Sequence, residues 1–117
     1  EAVKEKVQSA GYINAIDGRR IQVDGPHKAL NYLLQSSAGV VAKRWMVMID
    51  DLIKEQQIES HQLAFIHDAL FYECPPAYAD NMKFILEYCA KAAGEYYKLR
   101  CPIDATGKIG PDFYSVH

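Results

Sequence analysis

The sequence predicts an α+β fold, an antiparallel sheet built from two β-hairpins and covered by two long helices. Three observations predict it. Two pairs of short apolar runs are each separated by a tight polar turn, one helical pattern runs from Pro26 to about Lys54 without a further proline, and a second places apolar residues at spacings of three and four. The resulting order is β-β-α-β-β-α-β, with both hairpins antiparallel and the helices on one sheet face.

Glu1 to Ser9 reads as the tail of a helix. Tyr12 to Ile16 and Arg20 to Val23 read as two short strands, joined by the turn Asp17-Gly18-Arg19. Asp24-Gly25-Pro26 is a second turn that places a proline early in the long helix, where its missing N–H costs nothing. Only Gly39 interrupts that helix. Gln62 to Ile66 and Leu70 to Cys74 form the second hairpin, which Pro75 and Pro76 end. Ala77 to Leu99 carries Tyr78, Met82, Ile85, Leu86, Cys89 and Ala93 along one helical face. Cys101 to Ile103 reads as a last strand and Gly107 to Pro111 as a loop.

A chain of 117 residues, half of them hydrophobic, builds one compact domain and leaves no room for a multidomain enzyme. Thirteen basic against fifteen acidic side chains give a net charge of −2, which excludes nucleic-acid binding through overall positive charge but not through local clusters. No stretch of about 18 apolar residues is present to span a bilayer. The first residues are charged and helix-like rather than a signal peptide, so the expectation is a soluble, intracellular protein without a membrane partner. Cys74, Cys89 and Cys101 are odd in number and form no CxxC pair, and they read as three buried thiols.

Three features carry chemistry. At the tip of the second hairpin stands His67-Asp68, where a two-residue turn would ordinarily take Asn-Gly or another glycine pair. A strained turn holding an acid between two strands is therefore expected, and a carboxylate so placed suits Mg²⁺, which takes oxygen ligands and only one or two protein carboxylates. The plain alternative is a polar hairpin tip. His27, Asn31 and Gln35 lie at i, i+4 and i+8, one polar stripe that continues into Ala38, Gly39 and Ala42. Donors on such a face can meet the acceptors that every base pair shows in the minor groove; the plain alternative is a solvated stripe whose small residues pack on a strand. Finally, Arg19, Arg20, Lys28, Lys43, Arg44 and Lys108 are scattered near these elements, where cations can contact phosphates without reading sequence.

Asp17-Gly18-Arg19-Arg20, then Pro26-His27-Lys28-Ala29-Leu30-Asn31 running through Leu34-Gln35-Ser36, then Ile66-His67-Asp68, then Gly107-Lys108-Ile109-Gly110-Pro111 with the terminal His117, resemble the C-terminal part of family A DNA polymerases. The phage replicative branch of the bacterial DNA polymerase I family is the nearest likeness. The resemblance covers nearly the whole chain in order and spacing. It implies that residues 1–117 are the C-terminal palm, with the last part of the fingers, and that the hairpins make a palm-type sheet.

The resemblance further implies that Asp68 is the family's second metal-binding aspartate and that His67, its usual neighbour, completes the catalytic pair. Asn31 and Gln35 match minor-groove contacts, His27 stands where some relatives carry Arg, and Arg19 and Lys28 join them as DNA-binding residues. The implied reaction is template-directed nucleotidyl transfer, in which the primer 3′ hydroxyl attacks a dNTP α-phosphate and two Mg²⁺ ions stabilise the attacking and leaving oxygens. Primer-template DNA, a dNTP, the remainder of the polymerase chain and a processivity factor are the implied partners, in bacterial or phage-infected cytoplasm. Two departures stand out. The family usually has Glu after the aspartate, where Ala69 stands here, and its first catalytic aspartate, in an Asp-x-Ser-x-x-Glu strand, is missing with the Lys and Tyr-Gly of its fingers helix. The chain is thus expected to be a piece of a longer polymerase, inactive alone. Two other classes stay open: a metal-dependent phosphohydrolase using His67 and Asp68 with His27, His61 or His117, and a non-catalytic remnant that binds duplex or a partner protein.

Overall fold

In a computed structural model, which describes residues 2–117, helices alternate with two antiparallel hairpins in the order expected up to the end of the second long helix. The elements are α1 (Ala2–Ala10), β1 (Tyr12–Asn14), β2 (Arg20–Gln22), α2 (Ala29–Gln56), β3 (His61–Ile66), β4 (Ala69–Glu73), α3 (Ala79–Tyr96) and α4 (Phe113–Val116). Glu1, the start expected for the first helix, lies outside the described residues. The chain divides into two units, the first up to Lys43 and the second from Arg44 to His117.

In the first unit, Val7, Ile13, Val23 and Ala29 are buried together, with Val3, Ile21, Tyr32 and Leu33 half-buried around them. The β1–β2 ladder pairs Ile13 with Ile21 and Asn14 with Arg20 and then stops. It is shorter than the apolar runs suggest because Ala15 N–H turns to the Arg19 carbonyl at 2.7 Å and Gly18 N–H to the Ala15 carbonyl at 2.9 Å, closing a wider turn. Gly18 takes a φ of 91° there, which glycine adopts freely. Pro26 opens a single 3-10 turn, Pro26–Lys28, that leads into α2.

In the second unit the core is Ile49 and Ile53 of α2, Ile58, and Met82, Ile85 and Cys89 of α3. Each such side chain removed from water contributes about 1.5–3 kcal/mol, so this cluster is the main support of the second hairpin. Leu70 and Tyr72 of β4 pack on it. Trp45 fixes α2 against α3 by donating its indole N–H to the Leu86 carbonyl at 2.8 Å. The β3–β4 register runs from His61 opposite Glu73 to Ile66 opposite Ala69, with a shift between Gln62 and Ala64 that bends the ladder.

Three expectations are corrected. The hairpins form two separate two-stranded sheets rather than one, because hydrophobic alternation marks a strand's faces but not which edges pair. Cys101 to Ile103 is not a strand: Pro102 offers no N–H to a ladder, and Ile103 packs against Gly94 instead. Of the thiols, only Cys89 is buried; Cys74 is half-buried and Cys101 exposed. Burial pushes the Cys89 thiol up to about 11 and raises Cys74, so neither is a ready thiolate. After the expected loop comes α4, which the sequence reading left unassigned. Among the described residues no helix is long and apolar enough to cross a membrane.

Candidate functional site

The register of β3 and β4 leaves His67 and Asp68 as the whole of the turn. His67 takes a φ of 57°, the left-handed region that His tolerates better than most residues but still at a cost of about 1 kcal/mol or more. The strained turn expected from the sequence is therefore present, and both side chains are exposed. The hairpin beneath is anchored: Leu70 and Tyr72 lie on the core, and the Tyr72 hydroxyl donates to Gln62 Oε1 at 3.3 Å. Burial pushes that hydroxyl up to about 12, so it stays a neutral donor. At the far end of the hairpin His61 and Glu73 face each other at 3.3 Å.

Among the described residues no group of three or more His, Cys, Asp or Glu converges as a metal cage. The phosphohydrolase alternative would need His27, His61 or His117 beside His67 and Asp68, and no such group is found among the described residues. The single exposed carboxylate of Asp68 does suit Mg²⁺, which keeps much of its water and needs one or two carboxylates beside substrate phosphates. Ala69, where the resemblance would place Glu, is half-buried at the start of β4.

In the first unit, His27, Asn31 and Gln35 are all exposed, as are Ala38 and Gly39 further along α2. Nothing lies within 4 Å of where a Gly39 Cβ would point, so at Gly39 this face is open rather than packed on a strand. His27 belongs to the 3-10 turn before α2, not to the helix itself, and its ring covers Gly25 so closely that a Cβ there would lie 2.8 Å from Cε1. The stripe is less polar than expected: Leu30 and Leu34 are 56% and 60% exposed beside the two amides.

Of the six basic residues singled out, Arg19, Lys28, Arg20 and Arg44 are engaged within the chain. Arg19 Nε donates to Asp17 at 2.7 Å, and Lys28 donates to Asp24 at 3.0 Å. Arg20 and Lys6 both lie over the Tyr12 ring, at 4.6 and 4.9 Å from its centroid, while in the second unit Arg44 lies 4.1 Å from that of Tyr96.

Comparison with known proteins decides the family, because the model of DNA polymerase family A matches residues 1–115. The chain belongs to DNA polymerase family A. It is 30% identical over 115 residues to the DNA-directed DNA polymerase of Enterobacteria phage T3, covering 91% of this chain and 16% of that one. It is 24% identical over 111 residues to DNA polymerase I of Aquifex aeolicus, covering 93% and 19%. The fold matches the POL domain of Pol1 from M. smegmatis, solved in complex with DNA primer-template and dNTP, with a TM-score of 0.76 at 23% identity over 88% of this chain and 20% of that one. The chain thus spans no more than about a fifth of these relatives.

For this family A chain, the structure brings His67 and Asp68 together at one tip and sets His27, Asn31 and Gln35 along one exposed run. It shows Arg19 and Lys28 held by Asp17 and Asp24. Sequence reading missed the contact of Phe71 on β4 with Phe113 and His117 at the chain end. One signal was there: Asp112 stands three residues before Ser115, the spacing of a helix N-cap, and the two form a reciprocal capping box.

Proposed function

We propose that this chain forms part of the palm, with the last of the fingers, of a DNA-directed DNA polymerase, and that Asp68 is one of its Mg²⁺ ligands. The observation that carries the reading is the β3–β4 turn, which holds an exposed carboxylate beside a left-handed His67 on a hairpin seated on the core. That arrangement fixes an acid in space while leaving it open to a cation and a phosphate. Family membership supports the reaction class, template-directed nucleotidyl transfer.

Each residue then has a bounded task. Asp68 presents negative charge at the turn, and His67 sets the turn conformation beside it. Mg²⁺ bound there supplies charge stabilisation to the reacting phosphate oxygens. The amide N–H groups of Asn31 and Gln35 donate to minor-groove acceptors, a contact that senses pair geometry without reading sequence. Arg19 and Lys28 serve as cations for phosphates, and His27 joins the amides as a DNA-contacting residue. Primer-template DNA and a dNTP are the substrates, and a polymerase chain that supplies the other metal-binding carboxylate is the required partner.

The test is Asp68→Asn in a polymerase carrying this segment. Replacing the carboxylate by an amide removes charge at the metal while keeping shape, so the extension rate should fall by about a hundredfold or more with primer-template affinity nearly unchanged. Extension at the wild-type rate would exclude Asp68 as a ligand.

A further inference from the structure

The segment after α3 forms no strand, yet it is fastened to the rest of the second unit at successive points. Ile103 packs on Gly94 in the last turns of α3, where a Cβ would lie 2.7 Å from Ile103 Cγ1, so only glycine admits the crossing chain. Gly107 N–H then donates to the Glu87 carboxylate at 2.7 Å, two helical turns back along α3. The segment ends in α4, too short to stand by itself but closed by the Asp112–Ser115 capping box and by the His117 N–H on the Phe113 carbonyl. There Phe113 meets Phe71 of β4 with ring centroids 4.8 Å apart, and His117 stacks on Phe113 at 4.9 Å.

The placement of Phe71 gives this contact its meaning. Alternation along β4 sends Leu70 and Tyr72 to the core and Phe71 to the opposite face. A two-stranded hairpin is marginal by itself, and a left-handed residue such as His67 persists only where its surroundings over-determine it. The core holds one face of β4; the chain end covers the other.

The geometry points to a clip: residues 107–117 hold the β3–β4 hairpin from the face away from the core, and Phe71 and Phe113 are positioning residues for Asp68. The positioning role rests on the reading of Asp68 given above, whereas the clip itself does not.

Two measurements test it. In this chain, amide hydrogen exchange near the β3–β4 turn should quicken about tenfold in Phe113→Ala while Ile85 and Cys89 in α3 keep their protection. Phe113→Tyr, which retains the ring, should restore the wild-type pattern, and Tyr114→Ala, at a neighbour 90% exposed, should leave it unchanged. Hairpin exchange in Phe113→Ala equal to wild type overturns the clip. In a polymerase carrying this segment, Phe113→Ala should slow extension about tenfold at unchanged primer-template affinity, again rescued by Phe113→Tyr, as expected when a reacting group is slightly misplaced. Wild-type extension despite a loosened hairpin overturns the positioning role. Asp68→Asn measured in parallel separates the two ideas: if that variant extends normally, the ligand reading and the positioning role fall together while hydrogen exchange still decides the clip.

Discussion

Arg19 donates its Nε–H to the Asp17 carboxylate at 2.7 Å, within the turn that presents both to solvent. Lys28 repeats the arrangement with Asp24 at 3.0 Å, four residues apart. Exposed pairs like these contribute little to stability, but each holds a cation that the proposed interface needs for phosphate. Asp17→Asn and Asp24→Asn should therefore tighten duplex binding at low salt, while Arg19→Ala and Lys28→Ala weaken it and reduce the salt slope by about one per lost contact. Fluorescence anisotropy titrations at two salt concentrations read this directly. Four variants indistinguishable from wild type would remove both cations from the interface.

The same pairs set a pH dependence. The Arg19 backbone N–H, followed by its guanidinium, holds the Asp17 carboxyl below its ordinary 3.8, and the Lys28 ammonium does the same for Asp24. A carboxyl lowered in the folded state adds stability that is complete above the ordinary value and is lost as pH falls through the folded one. Lys28, raised above 10.5 by Asp24, adds stability that is lost as pH rises through its folded value. Stability from these pairs should be flat from about pH 5 to 9, and Asp17→Asn should flatten the acid limb of a melting series. An unchanged acid limb would show that the pair does not bias folding.

What the sequence made legible follows its periodicities. The long helices and second hairpin could be read because apolar spacing persists over many residues and Pro75-Pro76 marks a hard stop. The His67-Asp68 turn was legible for the opposite reason, as a pair without the glycine that a two-residue turn ordinarily takes, set between two strand runs. Short elements carry no period: Cys101 to Ile103 looks like a strand although Ile103 is used in packing, and the four residues of α4 show only their cap. Edge pairing was equally hidden, so two sheets were read as one. Asp17 and Asp24 were plainly near Arg19 and Lys28 in sequence, but spacing cannot weigh a local carboxylate against a distant phosphate. The proposed site is split in the same way, since the turn was readable and the chain end behind it was not.

On the open face of α2, Asn31 and Gln35 stand beside exposed Leu30 and Leu34. If the amides donate to the minor groove, Asn31→Ala or Gln35→Ala should weaken matched primer-template binding about five- to thirtyfold and narrow the gap between matched and mispaired ends, the scale of one hydrogen bond in a partly desolvated contact. Leu34→Ala removes apolar area alone and should lower affinity for both ends equally. Binding titrations on the two substrates separate these outcomes, and unchanged discrimination in both amide variants would exclude the contact.

Ala69 is the position where this chain departs from the acidic pattern that the resemblance carries, and its surroundings decide what an acid would meet. It is half-buried at the first ladder position after the turn, opposite Ile66, which is 37% exposed. A glutamate there can turn its carboxylate to water beside Asp68, so Ala69→Glu should cost less than about 1 kcal/mol, the span of strand preferences at a solvated position. Ile49→Ala supplies the scale for a true core change: that side chain is 0% exposed, and its truncation should cost about 2–5 kcal/mol. Thermal melts of the two variants should place Ala69→Glu within a few degrees of wild type and Ile49→Ala far below it. If both fall together, the residue 69 side chain points into packed surroundings, where a buried unpaired carboxylate costs several kcal/mol, and an acid at this position cannot serve the metal.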